Sequence, residues 1–175
     1  FEGASWPTPS GRIELYKEMP LPRVDYGQSW EEDAKLERFP AFTPPTENYF
    51  ENPAKEKYPI SFFSTHERFR VHSQWFNIET FAEINPEPLA YISPEDAEER
   101  GVADGDIVEV FNDRGSVTVK AAVSDACPKG ILNIPKGWQR NQCIAGGYNS
   151  LTGEESHPMS INFAYFDTLV DFRKI

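Results

Sequence analysis

Apolar positions along this chain come in short runs, most of them β-branched or aromatic, divided by glycine and proline turns. Residues 60–63 (Ile-Ser-Phe-Phe), 89–92 (Leu-Ala-Tyr-Ile), 107–111 (Ile-Val-Glu-Val-Phe), 116–123 and 131–134 read as strands. The connection Asn112-Asp113-Arg114-Gly115 is short enough to pair residues 107–111 with 116–123 as a hairpin. Ser93-Pro94-Glu95-Asp96 reads as a helix start: a serine cap, proline at the first helical position and acids facing the positive end of the helix dipole, with Gly101 as the stop. Residues 73–82 carry Trp75, Phe76, Ile78 and Phe81 with no clear period and are closed by Asn85-Pro86-Glu87-Pro88. A last strand is expected within residues 161–173. The pattern predicts a mainly β fold, a small barrel with short helices.

The first third reads differently. Thr8-Pro9-Ser10-Gly11 is turn chemistry, and residues 12–16 alternate polar with apolar as a short strand would. From residue 17 to 57 the prolines crowd (Pro20, Pro22, Pro40, Pro44, Pro45, Pro53), which predicts an extended strap with one helical turn at residues 30–37. Its Trp30, Phe39, Phe42, Tyr49 and Phe50 are expected to pack on a neighbour. The domain reading is therefore an opening strand and proline-rich strap over residues 1–57 and a barrel domain over residues 58–175.

Charge and cysteine usage narrow the chemistry. A net charge of −11 and a pI near 4.7 argue against a protein that neutralises many nucleic-acid phosphates, while leaving room for one small nucleotide held by local arginines. Cys127 and Cys143 fall in no CxxC or zinc spacing, so neither an Fe–S cluster nor a metal site is expected in this chain. No apolar run reaches the length of a membrane span, no signal peptide opens the chain, and a start at Phe1 rather than Met suggests a piece of a longer protein.

Candidate chemistry concentrates in residues 59–74, PISFFSTHERFRVHSQ, where an apolar strand empties into Ser64, Thr65, His66, Glu67, Arg68, Arg70, His72, Ser73 and Gln74. Two guanidiniums, two imidazoles, hydroxyls, a carboxylate and an amide can hold an anion and read the edge of a heterocycle. A charged loop that is merely solvated is the plain alternative. The glycine-rich stretch from Gly146-Gly147 to Asn149 offers backbone N–H groups to a phosphate and an amide to a heterocycle. A hydrolase built on His72 or His157 is disfavoured, because no Ser or Cys nucleophile motif accompanies either.

In their joint order these segments resemble one family. Arg70-Val71-His72-Ser73-Gln74, the run from Ile92-Ser93-Pro94-Glu95-Asp96-Ala97 through Arg100-Gly101-Val102 and Gly105-Asp106 to Val110-Phe111-Asn112-Asp113-Arg114-Gly115, then Pro135-Lys136-Gly137-Trp138 and Asn149-Ser150-Leu151-Thr152, with Thr8–Tyr16 leading in, are similar to the C-terminal domain of the molybdopterin oxidoreductases of the dimethyl sulfoxide reductase family. That resemblance implies a double-psi β-barrel of the aspartate-decarboxylase-like type that binds a molybdopterin guanine dinucleotide. Ser64, Thr65, His66, Arg70, His72, Ser73, Gln74, Trp138 and Asn149 would line the cofactor cleft, with no catalytic residue and no metal ligand in this chain. Molybdenum or tungsten would be ligated by a missing domain, and any Fe–S cluster would lie in the missing N-terminal part. The implied partners are the remaining domains of the same polypeptide and electron-transfer subunits, with no nucleic acid and no direct membrane insertion. The implied parent is a prokaryotic oxidoreductase of the periplasm or cytoplasm, and the fragment would not catalyse redox chemistry alone. The match is looser from residue 154 onward. The competing expectation is a stand-alone double-psi barrel serving as a binding or interaction module.

Overall fold

A computed structural model describes residue 3 and residues 5–18, 38–39, 42, 44–155 and 162–175. Two compact units emerge, Phe1–Pro44 with Glu155–Phe163, and Pro45–Glu154 with Ala164–Ile175. The second carries every strand named below.

Seven strands form in chain order: β1 (Ile60–Phe63), β2 (Leu89–Ile92), β3 (Ile107–Phe111), β4 (Ser116–Val123), β5 (Ile131–Asn133), β6 (Ala145–Gly146) and β7 (Leu169–Lys174). Their lateral order is β2-β5-β1-β7-β3-β4-β6, and β2 also pairs with β4, so the first six strands in that order close on themselves and β6 hangs on β4. Two pairs are parallel, β1 with β5 (Phe62 opposite Leu132) and β2 with β4 (Ala90 opposite Ala121). The others are antiparallel, including the expected hairpin of β3 and β4, in which Val110 faces Val117. Closure removes the exposed edges that short strands would otherwise present.

Alternation decides which side chains go inside. Ile60 and Phe62, Ala90 and Ile92, Val108 and Val110, Val117 and Val119, Leu132, Val170 and Phe172 are buried, whereas their chain neighbours Phe63, Tyr91 and Ile131 are only half-buried on the outer face. Phe62 is fully buried in this core. Phe62→Ala is expected to cost about 3–5 kcal/mol of unfolding free energy, because a closed barrel cannot collapse around the void; denaturant titration measures it.

The helices are short. Helix α1 (Glu79–Ile84) occupies the segment of unclear period, and α2 (Pro94–Glu99) begins as expected, with the Ser93 hydroxyl accepting from Asp96 N–H at 3.1 Å and donating to the Asp96 carboxylate at 2.7 Å. That carboxylate also accepts from Gly130 N–H at 2.7 Å, which fixes the turn leading into β5. Asn112 donates to the carbonyls of Leu151 and Leu169 at 2.8 and 3.1 Å, tying the β3–β4 turn to β7.

Two expectations are revised. Residues 12–16 form no strand; the leading segment is a knot of turn hydrogen bonds, Trp6 N–H to Gly11 O at 3.1 Å and Gly11 N–H to Thr8 O at 3.0 Å, and among the described residues no second strand pairs with residues 12–16. The last strand starts only at Leu169, because Asp167 is engaged in capping the N–H groups of Thr46, Glu47 and Asn48. Within the strap, Pro53–Glu56 is a 3-10 turn capped by Asn52, while the helical turn expected at residues 30–37 lies outside the described residues.

Candidate functional site

Where β1 ends, the apolar alternation ends too, and the chain turns away from the sheet under side-chain control. Thr65 N–H donates to Asn133 Oδ1 at 3.0 Å, Asn133 Nδ2 donates to Thr65 Oγ1 at 3.0 Å, and Lys136 N–H donates to Thr65 O at 2.8 Å. The start of the loop is thereby clamped to the end of β5. Further on, Gln74 N–H closes a turn on Val71 O at 3.0 Å; His72 (φ 53) within that turn and Trp75 (φ 67) just after it are non-glycine residues with left-handed backbone. Such conformations are uncommon and cost of order 1 kcal/mol each, so they persist only where the surroundings impose them.

The surroundings here are the loop after β5. Gly137 (φ +105) lies so close to His72 that a Cβ at Gly137 would stand 2.0 Å from the His72 carbonyl oxygen. The next residue, Trp138, is buried, and the Arg70 guanidinium lies over its ring at 3.5 Å from the centroid. Arg70 is only 5% exposed, yet a single hydrogen bond, Nη2 to Asn85 O at 3.3 Å, holds its head. Burial pushes the guanidinium's pKa down and the Glu67 carboxylate opposes that shift.

Among the described residues, the buried side-chain polar atoms without a hydrogen-bond partner are Ser64 Oγ, Arg70 Nε and Nη1, Trp138 Nε1 and Thr168 Oγ1. Three of these four residues belong to the loop after β1 and the loop after β5. Buried polar groups are nearly always paired, and leaving one unpaired costs about 1–3 kcal/mol, more when it is charged. A buried cation stacked on an indole, both with free N–H groups, is a donor set arranged for an anion or an acceptor-rich heterocycle.

On the outer face of the barrel the same loop walls a cleft of about 500 Å³. Phe63, Tyr91, Ile131 and Asn133 floor it, residues 65–68 form one side, and the turn carrying Ser124 and Cys127 forms the other. That volume lies in the range of small-molecule sites. Burial and the nearby Glu67 push the Tyr91 hydroxyl's pKa up, and burial followed by Asp96 pushes the Cys127 thiol up. Cys127 Sγ donates to Tyr91 O and Ile131 O, so it behaves as a buried structural thiol.

The nine residues expected to line a cofactor cleft therefore fall into groups. Ser64, Arg70 and Trp138 are buried with unpaired atoms. Thr65 and His66 line the outer cleft, and the His66 ring meets His72 edge-on at 5.2 Å. His72, Ser73 and Gln74 are exposed on the turn. Asn149 is exposed on the 3-10 turn Tyr148–Leu151, next to Tyr148, whose hydroxyl accepts from Gly137 N–H at 3.0 Å. His157 lies outside the described residues. Residues the pattern alone does not single out are Asn85, which holds Arg70 through its backbone, and Asn133, a polar outward position at the end of an otherwise apolar strand. Among the described residues no group of three or more His, Cys, Asp or Glu side chains is placed to hold a metal ion, and no helix is long and apolar enough to cross a membrane.

Residues 60–169, from β1 to the start of β7, match the family described as the molydopterin dinucleotide binding domain. The chain belongs to this family. As a molydopterin dinucleotide binding domain it is 31% identical over 175 residues to dimethyl sulfoxide reductase DmsA of Escherichia coli, an alignment covering 96% of this chain and 21% of that one. It is 37% identical over 134 residues to a trimethylamine-N-oxide reductase of Vibrio cholerae, covering 74% of this chain and 15% of that one. The curated relatives it matches are thus several times longer than this domain. Acetylene hydratase from Pelobacter acetylenicus shares the fold, with a TM-score of 0.79 and 20% identity over 99% of this chain and 25% of that one. The architecture of the domain is a double-psi β-barrel, with its closed six-stranded wall and two parallel pairs, as the family resemblance implies.

Proposed function

We propose that this domain holds the molybdopterin cofactor in its guanine dinucleotide form, with molybdenum or tungsten, for a larger oxidoreductase that acts on a small oxidised substrate such as an S-oxide or N-oxide. The observation that carries the reading is the set of unpaired buried donors on Ser64, Arg70 and Trp138, which fits an anionic dinucleotide rich in acceptors. Arg70 and Trp138 would take the phosphate or pterin acceptors. Thr65, His66, His72, Ser73, Gln74 and Asn149, all exposed, would supply polar contacts from the surrounding loops. When bound, the cofactor supplies the redox chemistry, and the residues of this domain orient it and shield it from water. Metal ligation and any Fe–S cluster fall to the rest of the polypeptide.

The relatives' greater length supports a parent with further domains, and so does the surface of the domain. Phe50 is 98% exposed, and Trp75, Ile78 and Ile84 are exposed on and beside α1, apolar side chains that further domains of the same polypeptide would cover. Electron-transfer subunits are proposed as additional partners. The test is to purify the full-length polypeptide, denature it and analyse what it releases. Pterin and GMP in equal amounts are expected. Their absence from metal-replete, natively purified protein would instead favour a free-standing binding module.

A further inference from the structure

The platform of Arg70 on Trp138 needs the loop after β5 in one position, and three contacts decide that position. One is the close approach of Gly137 to the His72 carbonyl. Another is Lys136 N–H donating to Thr65 O at 2.8 Å. The third comes from outside both loops: the Tyr148 hydroxyl accepts from Gly137 N–H at 3.0 Å. Tyr148 opens the 3-10 turn Tyr148–Leu151, and its half-buried ring packs against the barrel core. Gly137 is therefore held from two directions, its amide by a phenol anchored on the core and its Cα face by the His72 backbone. Trp138 is the very next residue, so a shift of the Gly137 backbone carries with it the indole beneath Arg70.

We propose that Tyr148 is a positioning residue for the cofactor site, its hydroxyl fixing Gly137 and through it the Arg70–Trp138 platform. The inference rests on the cofactor reading above. Tyr148 touches no part of the platform itself in the contacts described, and its ring has a separate structural role in the core. The two roles are separable because only the hydroxyl reaches Gly137: Tyr148→Phe keeps the ring and removes the hydrogen bond.

The experiment is carried out on the full-length polypeptide loaded with its own cofactor, following the rate of pterin release by fluorescence and, separately, the thermal midpoint of the cofactor-free protein. Tyr148→Phe is expected to speed release by about two- to tenfold, the effect of one lost hydrogen bond, while the midpoint of the cofactor-free protein shifts by no more than about 2 °C. In a Trp138→Ala background the same substitution is expected to add nothing, since Tyr148 acts through that residue. Release rates that multiply across the two substitutions, together with a lowered midpoint, would assign Tyr148 to general stability and overturn the proposal. Release at the wild-type rate in Tyr148→Phe, with Arg70→Ala and Trp138→Ala both fast, would overturn it while leaving the cofactor reading intact. Wild-type release in all three variants would remove the cofactor reading, and this inference with it.

Discussion

Arg70→Ala in the full-length polypeptide is expected to lower cofactor affinity at least about a hundredfold, leaving purified protein nearly free of pterin. The guanidinium is buried, stacked at 3.5 Å on Trp138, and keeps Nε and Nη1 unpaired. Hydrogen bonds to charged partners contribute about 1.5–3 kcal/mol each, so two of them account for at least about 3 kcal/mol, and each 1.4 kcal/mol is a factor of ten in affinity. Folding stability should respond much less. The substitution loses one cation–π contact and the bond to Asn85 O, but it also removes a desolvated cation whose remaining donors are unpaired. Arg70→Lys is expected to fall between, because an ammonium keeps the charge without the planar fork that stacks and donates in two directions. Pterin and nucleotide content, set beside the thermal midpoint of the cofactor-free protein, separates the two effects. Equal pterin content in wild type and Arg70→Ala would dismiss Arg70 as a ligand-holding residue.

The barrel is legible in the sequence because its information is local. A run such as Ile107-Val108-Glu109-Val110-Phe111 states its own alternation, Asn112 to Gly115 its own turn, and Ser93-Pro94 its own helix start; each survives in the structure with little change. Residues 12–16 alternate equally well and form no strand, since a strand requires a partner and alternation says nothing about whether one exists. Helix α1 is hidden for the opposite reason: its burial is partial and one-sided, and Phe81 engages the rings of Phe69 and Trp75 rather than the core. The site follows the same division. The loop after β1 announces itself by its polar composition, but which of its residues turn inward does not follow from composition. Arg70 is buried and Arg68 is exposed two positions away, a distinction made by Trp138 in another loop. Tyr148 and Asn133 are tertiary choices of the same kind, meaningful only once β5 lies beside β1.

Gly137→Ala carries the second large expected effect, and it tests the geometry on which the platform depends. A Cβ there would sit 2.0 Å from the His72 carbonyl oxygen and 2.7 Å from its carbon, so reaching ordinary contact at 3.4 Å requires the two loops to part by about 1.4 Å. The backbone of Gly137, at φ +105, adds strain for any residue with a side chain. Gly130 supplies the control, because it too has positive φ (+79) but nothing lies within 4 Å of its added Cβ. Gly130→Ala is expected to cost about 1–2 kcal/mol from backbone strain alone. Gly137→Ala is expected to cost about 2–4 kcal/mol, the clash adding to the strain, and also to deplete the cofactor, since parting the loops draws Trp138 from under Arg70. A Gly137→Ala protein no less stable than Gly130→Ala, and fully loaded with pterin, would show that the two loops do not meet as closely as the structure places them. Loss of pterin in Gly137→Ala but not in Gly130→Ala, at matched stability, would tie cofactor retention to the packing of Gly137 against His72 rather than to the integrity of the barrel.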